Sequence, residues 1–430
     1  MLATDVSATG CLSNWVNGVA SVGTFIKSST ATWDITGVDG IPSSWIIKNE
    51  DGSYPQSAYL CFTSTGDSTV EMRQIGTPNT SANKVIQYKL NDGEWQTWDL
   101  SEVSLHDGDK MYLKSDDTIP ISESYEIYKQ FRITGSIAAS SNIMSLLNFS
   151  TALTAYGFYS LFGHCTHLTH TPALPATTLS EGCYRSMFEA CTSLVQATVL
   201  PAISLGEGCY ANMFKGCTSL VQAPELPATT LDEYCYYQMF QSCTSLTTAP
   251  KLPATTLANY CYTCMFYGCS KLTQAPALPA TTLAVDCYDS MFHDCSSLTK
   301  APELPATTLA NYCYSNMFYG CTNLTTAPVL PATTLADSCY SSMFTNCASL
   351  TQAPELLATT LANNCYWGMF LNCKKLNYVK AMFTTNPSNG LYINNWLNNV
   401  SSTGTFIKSK DATWANERAY IPTGWTVKTA

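Results

Sequence analysis

The stretch Cys235-Tyr236-Tyr237-Gln238-Met239-Phe240-Gln241-Ser242-Cys243-Thr244-Ser245-Leu246-Thr247-Thr248-Ala249-Pro250-Lys251-Leu252-Pro253-Ala254-Thr255-Thr256-Leu257-Ala258-Asn259-Tyr260 decides the fold. The residues that follow it, Cys261-Tyr262-Thr263-Cys264-Met265-Phe266, begin the same text again. Moving outward in both directions, one cysteine series occupies positions 165, 191, 217, 243, 269, 295, 321, 347 and 373. A second occupies 183, 209, 235, 261, 287, 313, 339 and 365. Both advance by 26 without a slip, and of the 20 cysteines only Cys11, Cys61 and Cys264 fall outside them. A fixed period of roughly 20 to 50 residues marks stacked units that each bury a neighbour's apolar stripe because none can bury its own. The chain is therefore expected to form a repeat solenoid of about nine turns.

Within a turn, Cys235, Met239, Phe240 and Cys243 recur at i, i+4, i+5 and i+8, which reads as a short helix with one inward stripe. Leu246 to Pro253 reads as an extended segment. Its two prolines remove ladder donors and restrict any strand to about two or three residues. The expected fold class is accordingly an α/β repeat solenoid.

These units resemble the BspA-like (Treponema-type) leucine-rich repeats of bacterial surface proteins. Met317-Phe318-Tyr319-Gly320-Cys321, followed by Leu324 to Pro331, matches that family's Ala-Phe-x-x-Cys and Leu-x-x-Ile-x-Ile-Pro, although each turn here is longer. The resemblance covers residues 150–376. It implies a right-handed solenoid used for adhesion or binding, without catalysis.

Outside the array, residues 14–48 and 395–428 are copies of one element. Asn14-Trp15, Gly23-Thr24-Phe25-Ile26-Lys27, Trp33, Ile41-Pro42 and Trp45 return as Asn395-Trp396, Gly404-Thr405-Phe406-Ile407-Lys408, Trp414, Ile421-Pro422 and Trp425. Residues 55–137 carry short strand candidates, with Asn91-Asp92-Gly93 as a hairpin signal, and are expected to form a small antiparallel β-sandwich. The expected division is 1–50, a cap-like element; 51–137, the sandwich; 138–376, the solenoid; and 377–430, a C-terminal cap.

The chain has 430 residues, of which 12% are charged against a usual value of about 25%, and 46% hydrophobic. With 21 Lys and Arg against 31 Asp and Glu, the formal net charge is −10, and no basic stripe is visible for a nucleic acid. No apolar run is long enough for a membrane span, and Met1 to Asp5 lacks the basic and apolar regions of a signal peptide.

Catalytic and metal signatures are weak. The periodic cysteines read as a ladder of buried free thiols, since a ladder of like residues gives no pairing preference. Cys261-Tyr262-Thr263-Cys264 is a CxxC without a second one to complete a zinc site. His164, Cys165, His167 and His170 cluster in the first turn, but the three histidines sit at positions that vary between turns. Asp107-Gly108-Asp109 with Asp116-Asp117 lacks the EF-hand spacing and reads as a polar turn. The periodic tyrosines, Tyr184 to Tyr366, read as packing, with sugar stacking as the other reading. No enzyme, cofactor or metal is expected.

Within the array, invariant positions mark packing and variable ones mark solvent or ligand. The freest extended positions form two rows. One holds Gln222, Thr248, Gln274, Lys300, Thr326 and Gln352; the other holds Glu225, Lys251, Glu303 and Glu355, with Ala277 and Val329 between them. Their mixed polarity suits a protein or polysaccharide ligand. The expected function is adhesion or recognition at a bacterial or host surface. The alternative is a virion appendage recognising gut bacteria, and either can be an oligomer or part of a larger assembly.

Overall fold

The computed structural model describes residues 24–27, 46–387, 391–414 and 419–430. Its strands are β1 (Thr24–Lys27), β2 (Ile46–Asn49), β3 (Leu60–Ser64), β4 (Ser68–Ile75), β5 (Gln87–Leu90), β6 (Gln96–Thr97), β7 (Val103–Leu105), β8 (Lys110–Lys114), β9 (Tyr128–Thr134), β10 (Ile137–Ser140), β11 (Leu168–His170), β12 (Tyr378–Ala381), β13 (Gly404–Lys408) and β14 (Trp425–Thr429). One sheet has the order β11-β10-β3-β8-β5-β6 and a second β7-β4-β9. All their pairings are antiparallel except β10 with β11. Leu60, Phe62, Val70, Met72, Met111 and Phe131 point inward from these sheets, giving the expected sandwich. Gly93 closes the β5–β6 hairpin by donating its amide to the Leu90 carbonyl at 2.8 Å, with Asn91 at φ 50°.

From residue 156 onward the chain is a solenoid, as the period requires, but the expected helix is absent. Among the described residues no α-helix occurs. Each Cys-Tyr-x-x-Met-Phe-x-x-Cys segment is instead a run of consecutive β-turns. Tyr234, Gln238 and Ser242, four residues apart, all have φ between 54° and 60°. A positive φ at the third residue of a turn closed from the fourth to the first is the type II arrangement, and no helix admits it. The reason is the period. Cys-Tyr, Met-Phe and Cys recur every 4.0 residues, and a 3.6-residue helix would rotate that stripe away from the core.

The turn spiral accounts for its backbone donors in two alternating sets. Tyr237, Met239, Gln241 and Cys243 donate within the turn, to Tyr234, Tyr236, Gln238 and Phe240. The amides between them point along the solenoid axis: Tyr236, Gln238, Phe240 and Ser242 donate to Cys261, Thr263, Met265 and Tyr267 of the next turn, at 2.7–3.0 Å.

The core is a set of ladders. Phe162 to Phe370 stack ring on ring with centroids 5.3–5.8 Å apart, and Tyr184 to Tyr366 at 5.6–6.0 Å. The Phe ladder continues into the sandwich, where Phe131 stacks on Phe162 at 5.0 Å and meets Phe62 edge-on. One apolar core therefore runs from Leu60 to Trp425.

At the Thr-Thr corner the turns pair two by two. Thr178 bridges Ser204, Thr230 bridges Thr256 and Thr282 bridges Thr308, so a 26-residue sequence period becomes a doubled structural one there. At the C-terminal end β12, β13 and β14 form a parallel sheet that continues the last turn. Most of the N-terminal copy lies outside the described residues. Its β1 and β2 pair in parallel with Thr24 opposite Ile46, the register of Thr405 opposite Thr426 in β13 and β14.

Candidate functional site

The extended segment exposes its rows because its apolar residues alternate inward. In Leu246 to Ala254, Leu246, Pro250, Leu252 and Ala254 are buried, while Thr247, Thr248, Lys251 and Pro253 face solvent. Gln222, Thr248, Gln274, Lys300, Thr326 and Gln352 are all exposed, as are Glu225, Lys251, Glu303 and Glu355. The first row is held in register by single parallel bridges, Gln196 to Gln222 to Thr248 to Gln274, then Lys300 to Thr326, and Gln352 to Tyr378. The bridges stay one residue long because the prolines that follow, such as Pro250 and Pro253 after Thr248, interrupt the ladder.

Two grooves lie between neighbouring segments. One, of ≈ 790 Å³, is lined by Gln274, Lys300 and Glu303 with Pro276, Pro302 and Pro305. The other, of ≈ 600 Å³, is lined by Gln222 and Glu225 with Val195, Val199 and Val221. Val199 and Ile203 are 64% and 66% exposed, where most other turns carry Glu or Lys and all carry Thr, so this end of the face is apolar. Glu355 is engaged by Lys380, whose Nζ lies 3.1 Å from both carboxylate oxygens. Glu225, Lys251, Lys300 and Glu303 have no ion pair among the described residues.

Every described cysteine is a free thiol. Both series are buried, and burial pushes the thiols up, to about 12 for Cys183, Cys261, Cys269 and Cys373. Cys264 is half-buried and also lifted to about 12, by burial and then by the Asp289 carboxylate, so it is no redox thiolate. The histidines of the first turn do not converge. His164, His167 and His170 are exposed, and Cys165 is buried with its Sγ 3.2 Å from the Phe131 carbonyl. Among the described residues no group of three metal-ligating side chains comes together.

The aspartates of residues 107–117 are committed singly. Asp107 accepts from the Gly66 amide, Asp109 from Asn91, Asp116 from Gln87 and Lys114, and Asp117 from Lys84. The periodic tyrosines are stacked inside the core, which removes their ring faces from any sugar.

Two features go beyond the sequence reading. The first cysteine series does more than fill space: Cys191, Cys217, Cys243, Cys269, Cys295, Cys321 and Cys347 each point Sγ at the carbonyl of a Phe one turn earlier, at 3.1 Å. That carbonyl also takes a backbone amide, so the S–H fills its second lone pair. On the turn face, Tyr267, His293 and Tyr319 form a half-buried stack with centroids 4.3 and 4.4 Å apart. Burial lowers the His293 pKa, opposed by Asp294 at 3.2 Å. Their 26-residue spacing was the available signal for this stack.

No family model and no curated protein matches the chain. Among solved structures, the one titled "Crystal structure of TLR13-ssRNA13 complex" is similar at 15% identity with a TM-score of 0.30, over 64% of this chain and 38% of that one. No helix among the described residues is long and apolar enough to cross a membrane.

Proposed function

We propose that this chain is a non-catalytic recognition protein whose extended face binds a protein or polysaccharide at a cell surface. The observation that carries this reading is the contrast between the two sides of each extended segment. The inward ladder is nearly constant over eight turns, whereas the exposed row changes from Gln to Thr to Lys at equivalent positions. A regular scaffold with a variable, exposed and partly grooved face is what a repeat array offers a large ligand. The groove at Gln274, Lys300 and Glu303 is its centre, since it combines two unpaired charges with proline walls. The motif resemblance to bacterial surface repeats supports the same reading.

The test is binding of the purified chain to an array carrying matrix proteins and bacterial polysaccharides, repeated with Lys300→Glu and Glu303→Lys. Loss of about tenfold in affinity for a hit, with the melting midpoint unchanged, is the expected result. A hit whose affinity ignores both substitutions would remove this face from the reading. A capsule polysaccharide hit would favour the virion appendage over an adhesin.

A further inference from the structure

The axial amides of the turn spiral form five unbroken columns; one, from Tyr156, stops at the Asn363 carbonyl, and the other four run on into residues 392–398. Of these four, the first runs Phe158 to Cys183, Tyr184 to Cys209, and on by 26 residues a turn to Tyr366 donating to Tyr392. The others begin at the amides of Ser160, Phe162 and His164 and end on the carbonyls of Asn394, Trp396 and Asn398. In each of the four columns the accepting carbonyl and the next donating amide belong to the same peptide unit, so nine hydrogen bonds line up head to tail. Such chains polarise one another, and aligned peptide dipoles place positive partial charge at the end where the N–H groups emerge. The donors point toward the C-terminus. The four columns therefore end on the amides of Ile393, Asn395, Leu397 and Asn399.

Nothing among the described residues accepts from these four amides. Ile393 and Leu397 are 1% and 4% exposed, and an unpaired amide in so buried a residue is rare. Residues 393–399 also line an open cavity of ≈ 690 Å³ together with Leu371 and residues 419–423. The charge distribution supplies an independent observation. Residues 361–430 carry seven Lys and Arg against two Asp and Glu, a net +5, whereas residues 1–360 carry 14 against 29. Lys374 and Lys375 lie two and three residues after Asn372, whose Oδ1 accepts from the Asn399 side-chain Nδ2 at 2.9 Å, and both are exposed.

We infer that the C-terminal end of the turn spiral is an anion-binding site. Its ligand is an oxyanion, phosphate or carboxylate, held by the amides of Ile393, Asn395, Leu397 and Asn399 and attracted by Lys374 and Lys375. Backbone donors converging at the positive end of aligned peptides are the physical basis of anion sites elsewhere. This site is remote in sequence from the groove at Gln274, Lys300 and Glu303, and it does not depend on that face binding anything.

The experiment is amide NMR of the full ¹⁵N-labelled chain, titrated in parallel with inorganic phosphate and with acetate at constant ionic strength. Saturable movement of the Ile393, Asn395, Leu397 and Asn399 resonances is expected, and the stronger of the two anions identifies the headgroup. Lys374→Glu with Lys375→Glu should weaken that binding at least threefold while leaving the melting midpoint in place. Absence of saturable movement at these four amides with either anion would overturn the inference. So would equal movement at exposed amides of the other turns, which would mark general salt effects.

Discussion

Replacing cysteine by serine should have unequal consequences in the two series, although both are fully buried. Cys295 points its thiol at the Phe266 carbonyl at 3.1 Å. Its partner in the turn, Cys287, has no hydrogen-bond acceptor among the described residues and packs between Cys261 and Cys313. A serine hydroxyl at 295 inherits an acceptor. It loses some packing through the shorter C–O bond but gains a stronger donor, so the expected cost is below about 0.7 kcal/mol. At 287 the hydroxyl is buried without a partner and carries a desolvation cost of about 1–3 kcal/mol. Alanine at each site separates the contributions. Each substitution removes one buried heavy atom, about 0.5–1.5 kcal/mol by analogy with Ile→Val, and Cys295→Ala also loses the weak S–H bond.

A long array need not unfold in one step, so a global midpoint would blur the difference. Hydrogen exchange of the Phe266 and Phe292 amides, which donate to Met291 and Met317, reads the opening of the affected turns directly. Cys287→Ser should speed their exchange by about five- to a hundredfold, and Cys295→Ser by less than about fourfold, by the usual conversion of 1.4 kcal/mol per decade. Equal acceleration in the two serine variants would refute the donor role of the first series and return both to simple packing.

The hydroxyls of Tyr184, Tyr236, Tyr288 and Tyr340 are buried without a hydrogen-bond partner. Tyr236→Phe should therefore leave the melting temperature unchanged or raise it, and a clear drop would show that the hydroxyl is satisfied. Alkali should unfold the array sharply. Burial raises the folded thiols from 9.0 to about 12 at Cys165, Cys183, Cys261 and Cys269, so above pH 9 the unfolded chain releases protons that the folded chain keeps. Stability is full below pH 9 and falls between 9 and 12, by up to about 1.4 kcal/mol per pH unit for each thiol. A urea midpoint that stays flat from pH 8 to 11 would contradict the buried-thiol assignment.

The solenoid was legible because a ladder needs the same residue at the same height in every turn, and a 26-residue period states that without reference to secondary structure. The local conformation was misread for a physical reason that is itself in the sequence. The stripe Cys235, Met239 and Cys243 repeats every four residues, and so do the positions just before Met and before Cys. The first of these holds Ser186, Asn212, Ser290, Asn316, Ser342 and Gly368; the second holds Gly216, Gly268, Asp294, Gly320, Asn346 and Asn372. Gly, Asn, Asp and Ser are poor helix formers, and Gly, Asn and Asp are the residues that best tolerate a positive φ. Their recurrence at a spacing of four specifies a left-handed residue in every turn. Ala190 and Gln238 adopt the same conformation without that tolerance, at φ 57° and 54°. The stacked neighbours impose it there, because each such residue donates its amide along the axis, to Lys215 and Thr263. Local propensity thus nucleates the spiral at the Gly and Asn turns, and the axial columns carry it through the turns that lack them. For the candidate face, the positions that vary among turns are exposed, since solvent exposure is what frees a position within a repeat. The columns ending at Asn395 could not be read the same way. They are made of backbone alone, and their polarity follows from which of two alternating amides points along the axis, a choice that the side chains express only through the spacing of the left-handed residues.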